Sequence, residues 1–161
     1  LMRYPGVAGN NRGVIGNAAE VIRERATIED GYANWGDRGR LQWCVGAPGI
    51  VAHAATYLDE ELLVAAARLI FDAGPAGEEK GAGICHGTAG NGYALLKTFE
   101  RTQDEIWLER ARAFAMHALE EVERLPARHS LFTGAIGAAL FASDCVDGRA
   151  RFPVLDSLEP E

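Results

Sequence analysis

An all-α fold, built as a two-layer ring of paired helices, is predicted by three observations. Gly46-x-x-Gly49, Gly87-x-x-Gly90 and Gly134-x-x-Gly137 recur at spacings of 41 and 47 residues. Each opens a helix that is apolar on nearly every side, and charged, one-sided helices lie between them. A helix apolar all round has to be buried, whereas a one-sided helix sits outside. Alternation of the two kinds therefore gives an inner and an outer layer. Each helix pair cannot bury its own apolar face and must stack on its neighbours. The chain holds about three such pairs, few for closing a ring. With no strand-rich region in view, residues 1–161 are expected to form a single domain, a partial ring.

The elements follow in order. Val14 to Ile28 has apolar residues at Val14, Ile15, Ala18, Ala19, Ile22 and Ala26, the spacing of a helix with one wet face. Gly31 to Arg40 is rich in Gly, Asp, Asn and Arg and reads as a loop. Pro48 to Leu58 is almost wholly apolar, with Pro48 suited to a first helical turn. Asp59 is placed to cap the next helix, whose stripe is Leu62, Ala66, Leu69 and Ile70 and whose stop is Gly74-Pro75. Thr88 to Glu100 is the second inner helix. Asp104 caps a long outer helix that buries Trp107, Ala111, Phe114, Ala118 and Val122, and Pro126 ends it. Ala135 to Asp144 is the third inner helix, and Arg149 to Glu161 reads as irregular.

Composition narrows the function. Hydrophobic residues at 48% and charged residues at 24% describe a globular chain rather than a disordered one. A net charge of −7 argues against nucleic acid or an anionic membrane as the main partner. The longest apolar run, Ala135 to Ala142, is too short to span a bilayer, so no transmembrane segment is expected. The absence of a leader pattern points to the cytoplasm, and the start at Leu1 hints at a partial chain. Cys44, Cys85 and Cys145 are too few and too odd in number for a disulfide framework. Spaced cysteines beside a histidine in a cytosolic chain more often bind metal or act in catalysis.

The chemistry gathers at the inner-helix starts. Trp43-Cys44-Val45-Gly46-Ala47-Pro48-Gly49 and Cys85-His86-Gly87-Thr88-Ala89-Gly90-Asn91-Gly92-Tyr93 each place a ligand just before a Gly-x-x-Gly turn. Because the repeats are in phase, Cys44, Cys85 and Phe132 occupy equivalent positions at one end of the ring. Two thiolates and the His86 imidazole make three ligands for a soft tetrahedral ion such as zinc, leaving the fourth position open. The competing reading is two small cysteines packed as hydrophobes beside a backbone-satisfied histidine. Gly46 and Gly87 are expected to take left-handed conformations.

These paired motifs resemble those of the lanthionine synthetase C-like family, the lantibiotic cyclases and their cellular relatives. Ser130-Leu131-Phe132-Thr133-Gly134 and Arg151-Phe152-Pro153 extend the resemblance, which runs from about Asp30 to the end of the chain. It implies an α/α toroid, a double layer of inner and outer helices, of which this chain would supply the last three or so pairs. It implies that Cys44, Cys85 and His86 bind Zn2+ at the inner-helix N-termini. It also implies addition of a thiol, from a peptide cysteine or from glutathione, to dehydroalanine or dehydrobutyrine, forming a thioether. Arg40 corresponds to an arginine near the metal in the peptide cyclases, a catalytic candidate whose bland alternative is a solvated loop charge. The implied partners are a dehydrated peptide or protein and glutathione. Two positions depart from the pattern: Val45 replaces a proton-carrying residue, and Thr133 stands where relatives often have Glu. A non-catalytic zinc or glutathione-binding module and a helical-repeat interaction domain therefore remain alternatives.

Other residues read as structural. His53 reads as a satisfied core residue, Cys145 as a buried hydrophobe far from the metal end, and His117 and His129 as ordinary. Trp35 and Trp43 read as packing, and Asn91 as a brace for the helix after His86. Tyr93 points to the cavity or the core. Glu120, Glu121 and Glu123 read as a solvated face.

Overall fold

The computed structural model describes residues 11–36, 39–124 and 129–153. Six α-helices are present among the described residues: α1 (Asn11–Glu24), α2 (Ala47–Ala54), α3 (Glu60–Asp72), α4 (Thr88–Thr102), α5 (Glu105–Arg124) and α6 (Ala135–Asp147). A short 3-10 turn, Ala55–Tyr57, continues α2. Helices α2, α4 and α6 are the inner layer, and α3 and α5 the outer. Helix α4 lies at the centre, packed against α2, α3, α5 and α6. Its buried run includes Thr88 to Leu96, as an all-round apolar helix requires. Helix α6 leaves Ile136 and Leu140 exposed along one flank, so the layer forms an arc with an open edge.

One element departs from the all-helical expectation. Thr27–Glu29 (β1) and Tyr32–Asn34 (β2) pair antiparallel, with Ile28 opposite Ala33. The loop between them is Asp30-Gly31, with φ of 51° and 79°. Positive φ at both positions is the type I′ hairpin turn, for which Asp-Gly is the strongest short signal. Ile28 is therefore in a strand, and the first helix stops at Glu24. The hairpin positions the site. Gly46 precedes α2 and has no side chain to cap it, so Asn34 Oδ1 accepts the Ala47 N–H at 2.8 Å instead. Tyr32 donates to Asp72 Oδ2 at 2.9 Å, and Trp35 Nε1 to the Ile22 carbonyl at 2.6 Å, fastening the hairpin to α3 and α1.

Smaller differences have local causes. Asp59 is at the N-cap of α3 but makes no capping bond, because its carboxylate pairs with Arg23 Nε at 3.2 Å. The buried stripe of α3 runs through Leu63, Ala66, Ala67 and Ile70, with Leu62 and Leu69 half-buried, a rotation of about one residue that its many alanines permit. Asp104 caps α5 as expected, accepting the Ile106 N–H at 3.1 Å. Val122 is only half-buried, and the unexpected Glu121 takes its place in the core. On α1 Ala19 is buried and Ile22 half-buried. The expected contributions of Val14 and Ile15, the Pro126 stop and the tail beyond residue 153 lie outside the described residues.

Candidate metal centre

The repeat is written in carbonyl positions. Each second glycine of Gly-x-x-Gly packs on the carbonyl six residues before it: Gly49 on Trp43, Gly90 on Ile84, Gly137 on Leu131. A Cβ at these positions would stand 2.0, 1.9 and 2.1 Å from those oxygens, so only hydrogen fits. The first glycines do the same in two repeats, Gly46 on the Arg40 carbonyl and Gly87 on that of Gly81. Six residues thus fold back onto each helix start and present the residue before the glycines at the tip. Gly46 has φ 102°, as expected. Gly87 has φ −99°, so the left-handed expectation fails there; the close approach of the Gly81 and Gly83 backbone is what demands glycine.

Two contacts bring the first two turns together. The Cβ of Trp43 lies over Gly90, and Asn91 Nδ2 donates to the Leu41 carbonyl at 3.2 Å. Asn91 therefore braces the neighbouring turn rather than its own helix. In the first turn, Gln42 and Val45 exchange both backbone bonds at 3.0 Å, which holds Cys44 out as an exposed tip. The Cys44 thiol reaches Gln42 Oε1 at 3.8 Å. In the second, the Cys85 N–H donates to the Phe132 carbonyl at 2.7 Å, tying it to the third turn.

The result is one cluster. The ligand atoms of Cys44, Cys85 and His86 all lie within 4.8 Å of one another, and Cys85 Sγ is 3.8 Å from His86 Nε2. Tetrahedral zinc, with bonds of about 2.3 Å to sulfur and about 2.0 Å to nitrogen, sets its ligand atoms about 3.5–3.8 Å apart. The triangle would need to close by at most about 1.3 Å on its longest edge to meet that geometry. Burial raises the Cys85 thiol above its usual value, and the charge of Cys44 and a hydrogen bond with it raise it further. Two thiolates this close repel, and a bound cation is what would reverse that preference. A cleft of about 230 Å³ opens beside His86, lined also by Lys80, Phe132 and Thr133.

Arg40 enters the first turn through its backbone. Its carbonyl is pinned against Gly46, while the residue itself is exposed. Val45 is half-buried and offers no proton.

Several readings change with the structure. His53 is exposed rather than in the core: its Nε2 accepts the Trp43 indole N–H at 2.5 Å, and its ring meets Phe152 edge-on at 4.7 Å. Trp43 stacks on Phe132 at 5.7 Å and on Phe152 at 5.4 Å. Phe152 is fully buried and carried by a segment clamped at Asp144, which accepts from the Arg151 backbone at 2.8 Å and from its guanidinium at 2.9 Å. Tyr93 turns to the core and donates to Asp144 at 3.1 Å. Glu121 is fully buried, contrary to the solvated-face reading, because Thr88 Oγ1 donates to its Oε2 at 2.8 Å. Cys145 is buried as expected, its thiol pushed up to about 12 by burial and by the charge of Asp144. Of these, the Arg151-Phe152 anchor had a visible signal in its motif; Glu121 had none.

Buried inner helices with a Cys-Cys-His cluster at their starts define a helical-repeat protein with a candidate metal centre. The description "Lanthionine synthetase C-like protein" matches residues 14–156, and the chain belongs to that family. The arc of paired helices is accordingly part of an all-α toroid of the lanthionine synthetase C-like kind. Glutathione S-transferase LANCL1 of Danio rerio is 34% identical over 130 residues, covering 72% of this chain. The chain spans 31% of that relative's length. Among the described residues no helix is long and apolar enough to cross a membrane.

Proposed function

We propose that the chain is part of a zinc-dependent enzyme that adds a thiol to dehydroalanine or dehydrobutyrine in a peptide or protein, forming a thioether. The observation that carries this reading is the meeting of Cys44, Cys85 and His86 within 4.8 Å. The family assignment supports it, and a relative described as a glutathione S-transferase favours glutathione as the thiol over a peptide cysteine. Cys44, Cys85 and His86 would hold the ion. Zinc, when bound, supplies positive charge that keeps a thiol deprotonated at neutral pH.

The chain's own residues do the rest. The exposed Cys44 tip leaves the open side of the cluster accessible to substrate. In the reaction sulfur bonds to the β-carbon, the double-bond electrons move toward the carbonyl, and the α-carbon takes a proton. Arg40, with its backbone fixed two residues before Gln42, is the candidate to steady the charge that develops on that oxygen. Val45 cannot deliver the proton, so the acid comes from another residue or from solvent. Val45 is also the observation that favours a second reading, a non-catalytic zinc and glutathione-binding module.

Metal analysis and mass spectrometry test both readings, on this chain and on any longer protein that contains it. The wild type is expected to carry about one zinc per chain, lost in Cys85→Ala. With glutathione and a dehydroalanine peptide, a thioether adduct formed faster than in buffer supports the enzyme. Bound zinc without adduct supports the binding module. Wild-type protein without zinc overturns both and leaves the helical-repeat interaction domain.

A further inference from the structure

Glu121 sits on the outer helix α5 with no exposed surface. Burying a carboxylate demands compensation. One oxygen, Oε2, accepts the Thr88 hydroxyl at 2.8 Å. The other, Oε1, has no hydrogen-bond partner; Nε2 of the half-buried His117 imidazole, one turn earlier on the same helix, stands 3.8 Å away. An apolar side chain would fill this place between layers at lower cost, so the bond to Thr88 is what the carboxylate provides.

Thr88 is the first residue of α4 and stands two positions after His86. It is also fully buried. The turn before it is closed on itself: the Thr88 N–H donates to the Gly81 carbonyl at 3.1 Å, and the Ala89 N–H to that of Ala82 at 3.2 Å. Gly87 presses on the Gly81 and Gly83 backbone with no room for a Cβ. A loop this tight moves as a unit. Fixing Thr88 fixes both of its ends, with Cys85 and His86 between them. The first turn has no such tie, since Ala47 occupies the position equivalent to Thr88.

We propose that Glu121 is a positioning residue for the candidate metal centre: through its hydrogen bond to Thr88 the outer helix holds the Gly81–Thr88 loop in the register that sets Cys85 and His86 against Cys44. This rests on reading the cluster as a metal site. The tether itself is a statement about the chain and is measurable without metal.

The test uses variants that remove or keep the bond. Thr88→Val and Glu121→Met delete it from either side, so one remains informative if the other fails to fold. Thr88→Ser and Glu121→Gln retain a donor and an acceptor. In metal-free protein, the Cys85 and His86 amides are expected to exchange faster with deuterium in the deleting variants than in wild type. Unchanged exchange overturns the tether. In metal titrations, zinc affinity is expected to fall about tenfold in the deleting variants, in the range seen for outer-shell partners of metal ligands. The thiolate-to-cobalt absorption of the cobalt(II) form should weaken with it. The two retaining variants should stay near wild type. Wild-type affinity in Thr88→Val, or Glu121→Gln as impaired as Glu121→Met, overturns the inference. Wild-type protein that takes up no zinc sinks the metal reading instead, and the exchange data still decide the tether.

Discussion

The two cysteine-bearing turns share a backbone and are held by different forces. In both, glycines rest on carbonyls six residues earlier. The Cys44 turn is then secured by apolar and aromatic neighbours, with Trp43 stacked between Phe132 and Phe152, and by Asn34, which caps the helix from the hairpin. The Cys85 turn is secured by polar bonds, sideways to the Phe132 carbonyl of the third turn and across layers to Glu121. A repeat therefore encodes the steric template, because that demand is local. Anchoring is left to whatever tertiary neighbour each copy meets.

The comparison breaks first if the template is not shared. Gly49→Ala and Gly90→Ala each drive a Cβ to about 2 Å from a backbone oxygen that no rotamer change can move. Both should lose more than about 3 kcal/mol by chemical denaturation, at or beyond the upper end for overpacking. A milder loss in one alone would mean that its turn relaxes and that the two are not the same device.

The anchors should separate where the template does not. Phe152→Leu keeps apolar volume but removes ring contacts to Trp43, His53 and Tyr93 at 4.7 to 5.4 Å. With aromatic pairs contributing about 0.5–1.5 kcal/mol each beyond area, a loss of about 2 kcal/mol is expected. Faster amide exchange should appear at Trp43 and Cys44 and not at Cys85. Equal loosening of both turns would show that the aromatic stack is not specific to the first.

How much of this was legible in the chain follows the same division. The Gly-x-x-Gly phase, the meeting of Cys44, Cys85 and His86 and the helix order were readable, because each depends on residues close in sequence or on a repeat that converts sequence distance into neighbourhood. The hairpin was readable in principle from Asp30-Gly31 but short, three residues per strand, and its apolar signal merged with the preceding helix. Glu121 was not readable: among Glu120 and Glu123 it looks solvated, and only Thr88, 33 residues away, makes its burial tolerable. His53 misled for another reason: on a helix whose neighbours Ala52 and Ala54 are buried, it alone turns outward and takes its partners, Trp43 and Phe152, from distant segments.

The third repeat extends the comparison, and its consequence is the smallest. It keeps the glycine packing but carries Phe132 where the others have cysteine, and its thiol, Cys145, lies near the far end of α6. There burial and Asp144 push the thiol up to about 12 from an ordinary value of 9.0. The folded state thus keeps a proton that the unfolded chain gives up. Its contribution to stability is complete below about pH 9 and declines as pH rises from there toward about 12, by at most about 1.4 kcal/mol per pH unit. Tyr93 is pushed in the same direction by its own burial, so the thiol must be isolated by difference. Denaturation midpoints of wild type and Cys145→Ala, measured from pH 8 to 11, should converge as pH rises, the wild type losing stability faster. Parallel curves would mean that the Cys145 thiol ionises as freely folded as unfolded, and that the far end of the inner layer is no drier than the end that carries Cys44, Cys85 and His86.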